Sequence, residues 1–358
     1  LLQPNSHISN LEPCVHGGID YTELSELGID PDTVIDFSVC CNPCGPPDTV
    51  RAALLESPLD RYPDTEATQF KQVLAEKLDL PCENLITGSG STELIRLVAL
   101  AYLEPDDLAL IPQPTYGEYE AACRLVGAQI LYQQTTKDTN FRLDIANTAK
   151  LIQQHRPKAT FLCNPNNPTG QYLSKEEIEC IMSINEMGFL VLDEAYVAFT
   201  LNAWPSAGLI NRGNIIIVRS MTKDYALAGL RLGYAIAAET IISVLKRVRP
   251  PWNVSTIAQA AGIAALKANG YLEECTAKVW QAKDYLLEEL EAMGLKTVPS
   301  QTNFFLVEVG QASTFRKALL KYGILVRDCT SLGLPQYIRM APRTLPECQK
   351  LIAAIKEI

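Results

Sequence analysis

Only three histidines occur in the 358 residues, His7, His16 and His155. No His pair and no second Cys pair stands at the spacing that a four-ligand zinc site needs. The cluster Cys40, Cys41 and Cys44 is therefore read as a loop with buried thiols, and no metal is expected. An excess of basic charge is also missing. The chain has 31 Lys and Arg against 41 Asp and Glu, a formal net charge of −10. Scattered cations on an acidic chain exclude a sequence-independent grip on nucleic acid or anionic lipid, which demands clustered Lys and Arg. A local basic pocket for one small anion stays open. Long apolar runs are lacking as well. The longest window, Leu94–Leu103, is interrupted by Arg96 and is too short to span a bilayer. The first ten residues hold no charged and then apolar leader, and no Met, which points to residues missing ahead of Leu1. With eleven cysteines and no secretory signal, the expectation is a reduced, cytoplasmic protein whose thiols are small core residues. There is no internal repeat and no low-complexity tract.

What is present is ordinary globular material: 47% hydrophobic and 20% charged, enough for one large core and a smaller one. From about Asn84 to Ile236, short β-rich runs alternate with amphipathic helical stretches. The runs are NLIT, LALIP, QILYQ, ATFLC, FLVLD, IIIVRS and GYAIA; the helical stretches include STELIRLVALAYL and SKEEIECIMSINEM. Ser174 and Glu177 have the spacing of a capping box at the start of the second. Near-continuous apolar strands between helices predict an α/β fold with a mostly parallel seven-stranded sheet covered on both faces. After the RPPWNVS interruption at 249–255, a second, smaller α/β unit follows, ending in a helix from about Leu345. The expected layout is an arm over 1–35 that joins the small domain, a large domain over 36–245 and a small domain over 246–358.

In such sheets ligands bind beyond the carboxyl ends of the strands. Four segments there carry chemistry. In TGSGSTELI, a Gly-rich turn opens a helix, and free backbone N–H groups at Gly90, Ser91 and Thr92 suit a phosphate. In CNPNNPTG, the Asn167 amide could meet a ligand oxygen; a plain Pro/Asn turn explains the composition equally well. In VLDEAY, Asp193 ends an apolar strand and needs a cationic partner, either an arginine or a protonated ring nitrogen. Tyr196 follows and could reach a phenolate-type oxygen. In SMTKDYALAGLRLGY, a strand delivers Lys223 to the same rim, with Ser220 and Arg231 beside it for a dianion; such an amine can form a Schiff base with an aldehyde. An amine, an acid for a pyridine nitrogen, polar groups for a ring oxygen and a phosphate cup make up the inventory that pyridoxal phosphate requires.

NPNNPTG, DEAY and SMTKDYALAGLRLGY closely resemble the motifs of the class I/II aminotransferase superfamily of pyridoxal-phosphate enzymes, fold type I, and the likeness covers nearly the whole chain. It implies that Lys223 holds the cofactor covalently, Asp193 pairs with its ring nitrogen, and Asn167 and Tyr196 bond its ring oxygen. It implies that Gly90, Ser91, Thr92, Ser220 and Arg231 hold the phosphate and that Tyr116 stacks on the ring. Arg339, in YIRMAP, matches an arginine that grips a substrate carboxylate. Tyr62, in DRYPD, matches a tyrosine that reaches the neighbouring subunit's cofactor phosphate, which implies a homodimer with composite sites.

Two branches of that superfamily fit, both acting on small phosphorylated amines or amino acids. One is histidinol-phosphate aminotransferase. The other, expected here first, is the threonine-phosphate decarboxylase of cobalamin biosynthesis, which yields aminopropanol phosphate and carbon dioxide. Three features favour it: HGG at His16–Gly18, the DFS…NP.G.P pattern from Asp36 to Pro47, and Arg343 four positions after Arg339. A second arginine suits a substrate with both a carboxylate and a phosphate. Cys40 departs from the asparagine usual in that branch. By the same likeness His16 lines the substrate-phosphate pocket and Asn303 lies near the substrate arginine. The remaining expectation, a non-catalytic effector sensor, would need an attached DNA-binding module; only a short segment precedes the large domain, and the charge is acidic.

Overall fold

The computed structural model describes residues 2–9 and 11–358. A two-residue strand, β1 (Ile35–Asp36), follows the N-terminal arm. The central sheet is then built from β2 (Leu85–Gly88), β3 (Leu108–Gln113), β4 (Gln129–Gln134), β5 (Ala159–Cys163), β6 (Phe189–Asp193), β7 (Ile215–Ser220) and β8 (Gly233–Ala237). Their order across the sheet is β2-β8-β7-β6-β5-β3-β4, and β8 alone runs antiparallel to its neighbours. This is the mostly parallel seven-stranded sheet expected, strand for strand.

The reason lies in the pleat. Successive residues of a strand point to opposite faces. Leu110, Leu162, Leu192 and Ile217 enter the core on one side. Their chain neighbours Ile111, Phe161, Val191 and Val218 enter the core on the other. Strands buried on both faces must read as unbroken apolar runs, and these do. Helices cover each face. One, Lys175–Ile184, starts at the anticipated capping box: Ser174 Oγ accepts the Glu177 N–H while Glu177 Oε2 accepts the Ser174 N–H at 2.8 Å.

The C-terminal part forms a second, antiparallel sheet from β9 (Lys296–Thr297), β10 (Phe305–Glu308), β12 (Arg327–Asp328) and β13 (Tyr337–Met340), ordered β12-β13-β10-β9. The short β11 (Ile324–Leu325) pairs instead with β1, in parallel. That pairing ties the segment after the arm to the second unit. Phe37, Leu286, Phe305 and Ile338 share its core with the helices Tyr271–Ala292 and Leu345–Lys356.

Topology explains where a site forms. β5, β6 and β7 end at Cys163, Asp193 and Ser220, on one rim of the sheet. Because β8 runs the other way, Arg231 and Leu232, just before it, arrive at that same rim.

Candidate active site

A cavity of 730 Å³ opens on this rim, between the central sheet, the arm and β12–β13. Lys223 projects into it from the short helix Met221–Asp224 that follows β7. Its Nζ lies 3.9 Å from Cys41 Sγ and 5.9 Å from the centre of the Tyr196 ring. Among the described residues no carboxylate pairs with this amine.

Asp193 is 2% exposed at the end of β6. Its Oδ1 accepts the Ala195 N–H at 3.0 Å, and its Oδ2 accepts the Tyr119 O–H at 2.8 Å. Burial pushes its pKa up to about 6, against the pull of those two donors. A buried carboxyl that no cation pairs with directly matches a site whose cation arrives with a ligand.

The phosphate cup is equally specific. The helix Ser91–Tyr102 begins without any side-chain cap, so its first N–H groups stay available. Gly90 precedes it with φ 79° and ψ 167°, a conformation close to glycine-only. A Cβ on Gly90 would stand 2.6 Å from Arg231 Nη2, and one on Gly233 would stand 2.7 Å from the Ser91 nitrogen. The cradle thus has backbone donors on one side and a guanidinium on the other, with no space for side chains between. Tyr116, whose hydroxyl meets Thr92 Oγ1 at 3.0 Å, leans over the same region. Burial pushes its pKa up to about 12, so it stays protonated.

Arg339 comes from β13 and is 6% exposed. It donates to Asn167 Oδ1 and to the Ser38 carbonyl, while its Nε has no partner among the described residues. Since Asn167 Oδ1 is taken, its Nδ2 is the group left for a ligand.

The cavity therefore brings together Ser91, Thr92, Tyr116, Asn167, Asp193, Tyr196, Lys223 and Arg231, and His16 and Arg339 line it as well. Ser220 does not line the cavity; its hydroxyl is hydrogen-bonded to that of Thr222 at 2.6 Å. Three expected residues stand elsewhere. Arg343 does not line the cavity: it stands just ahead of the N-cap Thr344 of the last helix and pairs with Glu347 in that helix's first turn at 3.6 Å. Asn303 is 2% exposed and donates to the Cys40 carbonyl at 3.3 Å, so it braces the 38–45 loop. Tyr62 is 75% exposed and stacked on Trp252, outside this chain's own cavity.

Other cavity residues went unread in the sequence. Arg327, 8% exposed, donates to the carbonyls of His16 and Val15 at 2.9 and 2.6 Å and so clamps the arm over the cavity. Its signal was available: in ILVRDC an arginine follows an apolar strand, as Asp193 does. Glu118 bridges His16 Nε2 at 3.0 Å and Arg96 Nη2 at 2.9 Å, and the His16 bond leads the forces that hold its pKa below the ordinary range. Nothing in the local pattern marked it, because its partners are far apart in the chain. Cys40 is buried beside Tyr196 and Phe304, Cys41 faces Lys223 and Cys44 is exposed. No group of three or more His, Cys, Asp or Glu is placed to hold a metal among the described residues.

The residues thus fit pyridoxal phosphate: an unpaired amine, a buried acid without a cation, and a side-chain-free cup at a helix start.

Comparison with known proteins agrees. The family described as aminotransferase class I and II matches residues 32–355. A histidinol-phosphate aminotransferase of Moorella thermoacetica is 36% identical over 362 residues, covering 98% of this chain and 92% of that protein. The solved histidinol-phosphate aminotransferase of Sinorhizobium meliloti, in complex with pyridoxal-5'-phosphate, superposes with a TM-score of 0.89 at 25% identity over 100% of this chain and 97% of that one. The L-threonine-O-3-phosphate decarboxylase of Porphyromonas gingivalis gives a TM-score of 0.79 at 26% identity, over 90% and 98%.

Proposed function

We propose, from the premise that this chain belongs to the class I and II aminotransferase family and is a pyridoxal-phosphate-dependent enzyme, that it transfers the amino group of a phosphorylated amine of the histidinol-phosphate type to a 2-oxo acid. Decarboxylation, the first expectation, gives way here for two reasons. The curated relatives at 30–36% identity over most of the chain are histidinol-phosphate aminotransferases. The arginine that argued for a second substrate anion, Arg343, faces Glu347 and not the cavity.

One observation carries the choice, the identity of those relatives; the cavity accords with it, since two buried guanidiniums line it at different places, an arrangement that a substrate bearing both a carboxylate and a phosphate fits as well. Arg339 touches Asn167, beside the cofactor residues, while Arg327 touches the arm at Val15 and His16. An aminotransferase must accept two substrates in turn in one pocket. The carboxylate of a short amino or oxo acid suits Arg339, and a phosphate borne farther from the amine suits Arg327.

When bound, the cofactor supplies an electron-accepting ring conjugated to the substrate's amino carbon. Asp193 holds a proton at the ring nitrogen, which its burial without another cation equips it to do. Lys223 Nζ, tied to no carboxylate, is the base for the α-proton. Gly90, Ser91, Thr92 and Arg231 anchor the phosphate. Arg327 draws the arm against β12 and limits water at the mouth. The exposed Tyr62, together with Leu55 and Leu59, supports a homodimer in which this tyrosine serves the other subunit's site. Eleven free thiols support a reducing, cytoplasmic setting.

The test is a substrate comparison on purified enzyme. Histidinol phosphate with 2-oxoglutarate is expected to yield glutamate. Carbon dioxide and aminopropanol phosphate from threonine phosphate, without glutamate formation, would establish the decarboxylase, a second reading kept alive by the Porphyromonas neighbour. No turnover with either would point to a binding protein.

A further inference from the structure

Asp193 is held by a residue that the reaction chemistry does not name. Its carboxylate has two oxygens, and one is bonded by the hydroxyl of Tyr119, at 2.8 Å. Tyr119 is wholly buried at the start of the helix Glu118–Leu125. Its ring is fixed between Phe161, stacked at 5.7 Å and 23°, and Tyr116, met edge-on at 5.6 Å and 80°. The entry into this helix thus places two tyrosines three residues apart: Tyr116, ahead of the helix, lines the cavity, and Tyr119, in its first turn, reaches beneath it to the acid. The other Asp193 oxygen takes a backbone N–H from Ala195. Tyr119 is therefore the side chain that sets the carboxylate's plane, and it does so with a rigid, preorganised donor.

We propose that Tyr119 is a positioning residue for the cofactor: its hydroxyl orients Asp193 and biases that group toward the ionised form that a protonated ring nitrogen requires. The inference rests on the pyridoxal-phosphate reading of the site. Its logic is electrostatic. A donor bonded to a carboxylate favours the charged form and lowers its basicity. Without that donor, Asp193 draws the proton away from the ring nitrogen, and the ring becomes a poorer electron acceptor. Lys223, Glu194, Cys163 and Tyr116 are further ionisable groups that feel Asp193. They are the same in wild type and variant.

The experiment uses the holoenzyme and Tyr119→Phe, which keeps the ring and removes one oxygen. The pH midpoint of the bound cofactor's visible absorbance band is expected to move upward by about one unit. Affinity of the apoenzyme for pyridoxal phosphate is expected to fall about tenfold or more, as for a bond to a charged group. Phe161→Leu, which loosens the same ring without touching the hydroxyl, serves as the packing control; it is expected to lower Tm and leave the midpoint in place. In an Asp193→Asn background, Tyr119→Phe is expected to add nothing further. If Tyr119→Phe leaves the midpoint unmoved while Asp193→Asn is severe, the inference fails and the site reading stands. If Asp193→Asn itself changes neither band nor affinity, the site reading fails with it.

Discussion

Alanine in place of Gly90 tests the cup directly. The backbone there, φ 79° and ψ 167°, lies in a region that costs a side-chain-bearing residue about 1–3 kcal/mol. That strain acts on the fold with or without cofactor, so it belongs in Tm, where a fall of about 2 °C or more is expected for a chain of this size. The second effect is local. The new methyl carbon would stand 2.6 Å from Arg231 Nη2, so the guanidinium must swing out of the cup. Arg231 is otherwise tethered to the Ala228 carbonyl at 3.3 Å, a contact too weak to restore it. A charge-assisted contact to a phosphate is worth about 1.5–3 kcal/mol, so the Kd for pyridoxal phosphate is expected to rise roughly ten- to a hundredfold. Titration of apoenzyme followed by visible absorbance measures this. Gly208→Ala is the control: nothing lies within 4 Å of a Cβ there. It is expected to bind the cofactor as wild type does. A Gly90→Ala enzyme with Kd within about twofold of wild type would refute both the cup and the role of Arg231.

Three further outcomes are expected. Arg343→Ala is expected to leave KM for the phosphorylated substrate within about twofold of wild type, because its partner is Glu347 and not the cavity; a large rise in KM would return Arg343 to the substrate site. Asp193, raised from 3.8 to about 6 by burial, favours the folded apoenzyme below its ordinary value and withdraws that support as pH climbs through 6. Measured without cofactor by denaturant titration, the stability advantage of Asp193→Asn over wild type is therefore expected to grow from pH 4 to 7, with an upper bound of about 3 kcal/mol. A flat difference would contradict the assignment. Finally, Glu66 holds Lys71 and Lys246 at 3.1 Å each, and also Arg249. The side chains of Lys71 and Arg249 are only 7% and 3% exposed. Glu66→Gln strands those buried cations and is expected to cost about 3 kcal/mol in a denaturant titration; a loss below about 1 kcal/mol would mean that the cluster is surface-like.

The legible parts of the site are those whose function and backbone geometry coincide. Asp193, Lys223, Asn167 and the Gly90 turn each follow an apolar strand, so one rule about strand ends located them. Arg327 follows the apolar run ILV but opens β12 instead of ending a strand of the central sheet, so the rule did not reach it. Asn303 and Arg343 were expected near Arg339, the second from the spacing that the resemblance implies, yet Asn303, two residues before β10, bonds the Cys40 carbonyl, and Arg343, three residues past β13, pairs with Glu347. Glu118 and Tyr119 sit in a helical stretch of ordinary composition. Their partners, His16, Arg96, Phe161 and Asp193, come from four other segments.

Apolar period, punctuation by glycine and proline, and the order of the four motifs were enough to determine the α/β sheet, its rim and the cofactor. Each is a property of the chain over a few residues: the pleat, the helix turn, the steric cost of a Cβ. Which guanidinium faces the cavity, which hydroxyl bonds the acid, and what holds the arm over the cavity were decided only by tertiary structure. Those contacts join residues 74 to 312 positions apart, such as Tyr119 with Asp193 and Arg327 with Val15. No local pattern encodes them, because a side chain's direction into a cavity depends on how separate elements pack and not on the residues beside it.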